Sequence, residues 1–180
     1  MSTKDIVYVA LFAGIHAALG VIPPLFFPLN PVPISAQSLG PMLAGSILGA
    51  KRGALASMLF IAMMLTGLPI MAGCRGGLGL IMGPTAGFIL GFPFSAYIIG
   101  LFFEKNWDKL NLVWAFVYIL FGGMVVLYTF GLLWITILFD FNLHKAFLSF
   151  LIFLPGDIIK TTIGATIAMV IKRAYPLIKI

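Results

Sequence analysis

The chain has 180 residues, 62% of them hydrophobic and only 9% charged, with a formal net charge of +6 and a mean hydropathy of +1.15. That balance excludes a soluble domain and predicts a polytopic membrane protein, read as one transmembrane domain over 1–180. No aqueous stretch is long enough for an enzyme core, and the basic residues fall between apolar runs. Membrane topology rather than phosphate binding accounts for them there, so the lipid bilayer is an expected partner and nucleic acid is not.

Six apolar runs predict an all-α integral membrane fold with six transmembrane helices. The first, Ile6 to Ile22, is ended by Pro23-Pro24. It has no small-residue cleavage site behind it and is expected to be retained. Ala10, Gly14 and Ala18 recur there at every fourth position, a stripe of small residues that lets another helix approach closely in lipid. The spacing leaves open whether that helix belongs to this chain or to a partner. His16, in the same run, is expected to be a packing residue rather than a proton relay.

The connection from Pro23 to Pro33 holds five prolines in eleven residues. It must be stiff and extended. It is also apolar, and composition does not choose between a lid over a cavity and a dip into the lipid head groups. Run two, Ala36 to Ala50, is expected to bend near Gly40-Pro41. Run three is Gly53 to Leu68. Between it and run four lie glycines 73, 76, 77 and 79, with Cys74 and Arg75 among them. Such glycines turn backbone N–H groups toward an anion or a tightly fitted ligand, and an arginine fork suits a carboxylate. The pattern is not G-x-x-x-x-G-K-[ST], so no nucleotide site is expected here.

Run four is Leu78 to Phe103, with interruptions expected at Pro84 and Pro93. Run five is Leu112 to Phe139. Asp140, His144 and Lys145 follow it and are expected to face water. Run six, Ala146 to Ile171, amounts to roughly 39 Å of helix at ~1.5 Å per residue. Asp157 and Lys160 fall near its middle, three residues apart and so on one face. A charge in the membrane costs at least about 2.5–3.5 kcal/mol and normally faces a cavity or a partner. Pro155 and Gly156 are expected to free a backbone carbonyl and open room beside the pair. Two readings stand: a self-neutralising ion pair that packs helices together, or a polar ligand site. Arg75, Asp157 and Lys160 together carry +1, which a ligand with one carboxylate would neutralise.

Other chemistry is not indicated. Cys74 is the only cysteine, so no intramolecular disulfide is expected. No histidines or carboxylates have ligand spacing, and no nucleophile–base order is visible. The expectation is therefore no metal, no cofactor and no catalytic residue. With the N-terminus inside, Lys4, Lys51, Arg52, Lys105, Lys109, Lys172, Arg173 and Lys179 fall on the inner side. The outer loops then hold Arg75 and Lys145. That bias places both termini in the cytoplasm.

An ordered set of motifs runs through most of the chain. It begins with Pro31-Val32-Pro33-Ile34 leading to Gln37 and Gly40, then Leu43-Ala44-Gly45, Leu48-Gly49 and Arg52-Gly53. It continues with Gly67-Leu68-Pro69, Gly73-Cys74-Arg75-Gly76-Gly77, Gly83-Pro84-Thr85 and Gly87-Phe88. It closes on Pro155-Gly156-Asp157 and Lys160. In these the chain resembles the BioY family, the biotin-specific S-component of energy-coupling-factor (ECF) transporters.

The resemblance implies an S-component-like bundle in the cell membrane. Its biotin pocket would lie toward the outer side, under the first loop. It implies that Asp157 takes the ureido N–H groups and that Arg75 or Lys160 takes the carboxylate, with Gln37, Gly73 and Phe88 as further substrate contacts. It also implies that Ala10, Gly14 and Ala18 dock a transmembrane coupling protein and that two cytosolic ATPase subunits hydrolyse ATP. The alternatives are an S-component for another vitamin such as thiamine or riboflavin, a small integral-membrane enzyme acting on lipid or acyl substrates, and an assembly subunit without a ligand.

Overall fold

The computed structural model of the chain describes residues 1–26, 32–139 and 150–178. Asp140, His144, Lys145 and Lys179, and the middle of the first proline-rich connection, lie outside those residues. Six helices account for the described chain, and no strand does; pairing is limited to isolated bridges. They are α1 (Thr3–Leu19), α2 (Leu39–Leu48), α3 (Ala50–Leu65), α4 (Ala86–Lys105), α5 (Leu112–Phe139) and α6 (Leu151–Ala174). Among the described residues α4, α5 and α6 are long and apolar enough to cross a membrane by length and composition. Val113, Val117, Leu133 and Ile137 stand exposed on α5, where lipid rather than water is the fitting solvent.

The centre of the bundle is the shortest of the six. Every residue of α2 from Gly40 to Leu48 is buried, as expected for a helix apolar on all sides. It packs against α1, α3, α4 and α6. Ten residues give only ~15 Å of helix, all of it within the core. Close approach is possible because Gly45 faces the backbone of Ala96 in α4, where a Cβ would collide.

Four expectations at glycine and proline are corrected. No bend occurs at Gly40-Pro41: Pro41 lies in the first turn of α2, where its missing N–H deprives the helix of nothing. The break between runs two and three falls at Gly49, whose φ of +87° admits glycine, so Lys51 and Arg52 open α3. Pro93 sits inside α4 without ending it. Pro155 is in the first turn of the α-helical part of α6, after a 3-10 turn over Leu151–Phe153. Asp157 and Lys160 therefore lie in the opening turns of that helix, not at its middle, and Pro155 starts the helix instead of breaking it.

The two ends of the chain meet at the other end of the bundle. Arg52 pairs with Asp5 at 3.3 Å and donates to the Leu177 carbonyl at 2.6 Å. Lys172 donates to the carbonyls of Trp107 and Leu110, tying the α4–α5 connection to the end of α6. The cavity described next opens at the end away from these termini.

Candidate ligand site

Two connections and three helices converge on one cavity. Its lining includes Val32 and Pro33 from the first connection and Gln37 and Ser38 from the 3-10 turn before α2. Met71, Ala72 and Arg75 come from the second connection. Phe88, Ile89 and Phe92 come from α4, Gly123, Leu127 and Tyr128 from α5, and Phe153, Asp157 and Lys160 from α6. The volume open to the centres of water-sized molecules is about 60 Å³, well above the ~10–15 Å³ that holds one water. An apolar wall with a few convergent polar groups is the usual make-up of a small-molecule site.

The polar heart is a chain of four side chains. Asp157, only 4% exposed, accepts from Lys160 Nζ at 2.6 Å on Oδ1 and from the Tyr128 hydroxyl at 2.6 Å on Oδ2. Lys160 Nζ also donates to Ser38 Oγ at 3.0 Å. Buried charge demands a partner, and here each charge has the other plus a neutral hydroxyl. The ion pair exists, and it faces a cavity. The aromatic wall is continuous. The ring centroids of Phe88 and Tyr128 lie 5.4 and 5.5 Å from that of Phe150, which is 5.6 Å from Phe153.

Arg75 is held at the rim by its backbone. Met71 and Arg75 exchange backbone hydrogen bonds at 2.9 and 3.2 Å, and the turn between them uses positive φ at Gly73 (+79°) and Cys74 (+55°). Arg75 Nε donates to the Ala72 carbonyl at 3.1 Å. Among the described residues the ion pairs are Arg52–Asp5 and Lys160–Asp157, which leaves the Arg75 guanidinium without an acidic partner.

Gln37 fixes this loop to the core. It is 1% exposed, its Nε2 donates to the Ile70 carbonyl and its Oε1 accepts from the Ala72 N–H, both at 2.9 Å. Its amide is committed to the protein, although it lines the cavity. Gln37→Leu is expected to raise amide exchange across residues 70–75 about thirtyfold, since two hydrogen bonds at ~1 kcal/mol each are lost. Exchange unchanged at Ala72 would show that the loop does not rely on Gln37.

Of the sequence-predicted site residues, the structure brings Gln37, Arg75, Phe88, Asp157 and Lys160 to one cavity. Gly73 is exposed and away from the lining, and a Cβ added there would meet the ring of Pro24 at 3.6 Å. Val32 and Pro33 line the cavity, and Leu25 and Ile34 close the base of the first connection by exchanged hydrogen bonds of 2.8 and 2.9 Å. His16, expected as a hydrogen-bonded packing residue, does pack, its ring stacked 3.8 Å from that of Phe60 and edge-on to Phe92, but its Nε2 has no hydrogen-bond partner among the described residues. Ala10, Gly14 and Ala18 are all exposed, so the bundle does not use the stripe for its own packing. Sequence reasoning missed Ser38 and Tyr128. The signal for Tyr128 was a phenol within run five, five residues after Gly122-Gly123.

The geometry can be set beside known proteins. The family model described as the BioY family matches residues 1–177. The chain belongs to the BioY family. It is 42% identical to the biotin transporter BioY of Rhizobium etli, over 99% of this chain and 98% of that one. It is 36% identical to the probable biotin transporter BioY of Bacillus subtilis, over 96% and 92%. Among solved structures it is similar to the S-component for biotin from an ECF-type ABC transporter, with a TM-score of 0.90 and 29% identity. That match covers 96% of this chain and 95% of the other. BioY proteins are transport components, so the membrane-enzyme alternative falls, and the all-α S-component bundle and membrane location stand.

Proposed function

We propose that this chain is the biotin-binding membrane subunit, or S-component, of an ECF-type vitamin uptake transporter. The observation that carries the reading is the cavity itself: a buried Asp157–Lys160 pair and an Arg75 with no acidic partner among the described residues, on one apolar-walled pocket. Biotin offers what these groups lack. Its cyclic urea presents N–H donors to Asp157 and a carbonyl to Lys160. Its valerate chain suits the phenylalanine wall.

Its carboxylate answers Arg75. The Asp157–Lys160 pair neutralises itself, so the cavity's excess positive charge resides on Arg75, and Arg75 rather than Lys160 holds the acid. The six proposed contacts are thus unequal. Asp157, Lys160, Arg75 and Phe88 face the ligand, Gln37 acts by fixing the loop, and Gly73 acts only by shaping the turn.

The subunit takes biotin from the outer side and passes it inward with a transmembrane coupling protein and two cytosolic ATPase subunits. The solved S-component's membership of an ECF-type ABC transporter supports this, as does the absence of a phosphate-binding loop in the sequence. The exposed stripe of Ala10, Gly14 and Ala18 supports α1 as the docking helix. Lys4, Lys51, Arg52, Lys105, Lys109, Lys172 and Arg173 belong to the end where the termini meet, which supports a cytoplasmic location for both termini. The whole chain, 1–180, acts as one transmembrane domain.

Equilibrium binding to purified protein in detergent tests the substrate. Saturable binding of biotin, with none of thiamine or riboflavin, is expected. Tighter binding of either other vitamin would reassign the pocket.

A further inference from the structure

The long helix α5 is not regular. Over Phe121–Val126 it widens into a π turn, and such turns concentrate where a helix must redirect a side chain. The consequence is read in the cavity lining. Gly123 and Tyr128 both line the pocket, five residues apart. A regular α-helix turns ~100° per residue and would leave them ~140° apart; the wider i→i+5 turn returns them toward one face. The two glycines make the turn possible by close packing. Gly122 lies against Ile99 of α4 and Gly123 against Met42 of α2, with no room for a Cβ at either.

Tyr128, so aimed, reaches Asp157 across helices. Its O–H donates to Asp157 Oδ2 at 2.6 Å, opposite the Oδ1 held by Lys160. A carboxylate gripped on one oxygen alone can swing about its terminal torsion, which is broad. Gripped on both, it presents its remaining lone pairs in a fixed direction. We propose that Tyr128, turned into the cavity by the π turn of α5, is a positioning residue that holds Asp157 in the orientation needed to accept the ligand's urea N–H groups. This rests on the reading of the pocket as a biotin site. Its role is distinct from packing: the ring sits in the Phe150–Phe153 cluster, while the hydroxyl acts on Asp157.

Tyr128→Phe separates the two, since it keeps the ring and removes the O–H. Biotin Kd would be measured for wild type, Tyr128→Phe, Asp157→Asn and the double variant. Ligand is carried to millimolar concentration, so that weakened variants remain measurable. Tyr128→Phe is expected to weaken binding five- to tenfold with the ligand-free Tm within a few degrees of wild type. In the Asp157→Asn background the same change is expected to have less than a twofold effect, because the hydroxyl acts through that carboxylate. A wild-type Kd in Tyr128→Phe, or equal losses in the two backgrounds, overturns the positioning role. Wild-type protein that fails to bind biotin overturns the reading of the pocket, and the role of Tyr128 with it.

Discussion

Lys160→Ala is expected to lower the stability of the folded protein by about 3–5 kcal/mol and to weaken biotin binding at least tenfold. Removing one partner of a buried ion pair leaves the other charge uncompensated, which accounts for a loss of that size. Here the survivor is Asp157, 4% exposed, with only the Tyr128 hydroxyl left on it among the described residues. The Ser38 hydroxyl also loses its donor, so the link between α6 and the turn before α2 is cut.

The combined variant Asp157→Asn with Lys160→Met removes both charges, and neutral replacements of a buried pair are commonly tolerated. It should recover most of the thermal stability and none of the biotin affinity. Thermal unfolding and equilibrium binding in the same detergent read both quantities. A single variant as stable as wild type, with unchanged Kd, would remove the pair from the site. A double variant that binds biotin normally would reduce the pair to a helix-packing device.

Arg75→Ala is expected to weaken biotin binding about a hundredfold, equivalent to about 2.7 kcal/mol, which falls in the ~1.5–3 kcal/mol range for a hydrogen bond to a charged group. The same variant should bind biotinamide, whose acid is capped, within about threefold of wild type. The contrast follows from charge. Asp157 and Lys160 satisfy each other at 2.6 Å, whereas among the described residues the Arg75 guanidinium contributes only its Nε to the Ala72 carbonyl. Loop backbone hydrogen bonds between Met71 and Arg75 do not need the side chain, so the turn should survive the substitution. Equal losses for biotin and biotinamide would mean that Arg75 works through the loop. A carboxylate dependence carried by Lys160 instead would reverse the assignment of the two cations.

The unequal fate of the predicted residues shows where sequence was informative. Asp157, Lys160 and Arg75 were legible because a charge within an apolar chain has a large energetic cost and needs a reason to be there. Gln37 was legible only through the family motif, and its actual task, holding Ile70 and Ala72, is a contact between residues more than thirty positions apart. Gly73 was legible through the family motif, and its φ of +79° places it in the turn between Met71 and Arg75. Ser38 gave no signal, as a serine in a polar stretch beside Ser35 and Gln37 has many cheap explanations.

The amino-acid sequence alone determined that the chain lives in a membrane, that its elements are helices and that a few charges lie within its apolar runs and beside them. Each follows from local free energies: a backbone in lipid must bond within its own segment, and an ion there must be compensated. Only the tertiary structure decided that the shortest helix is the core, that Asp157 opens its helix instead of lying midway, and that the phase of α5 brings Tyr128 to the carboxylate. Those outcomes depend on which faces meet, and a helix turning once every ~3.6 residues changes its facing with a single widened turn that composition and hydropathy do not register.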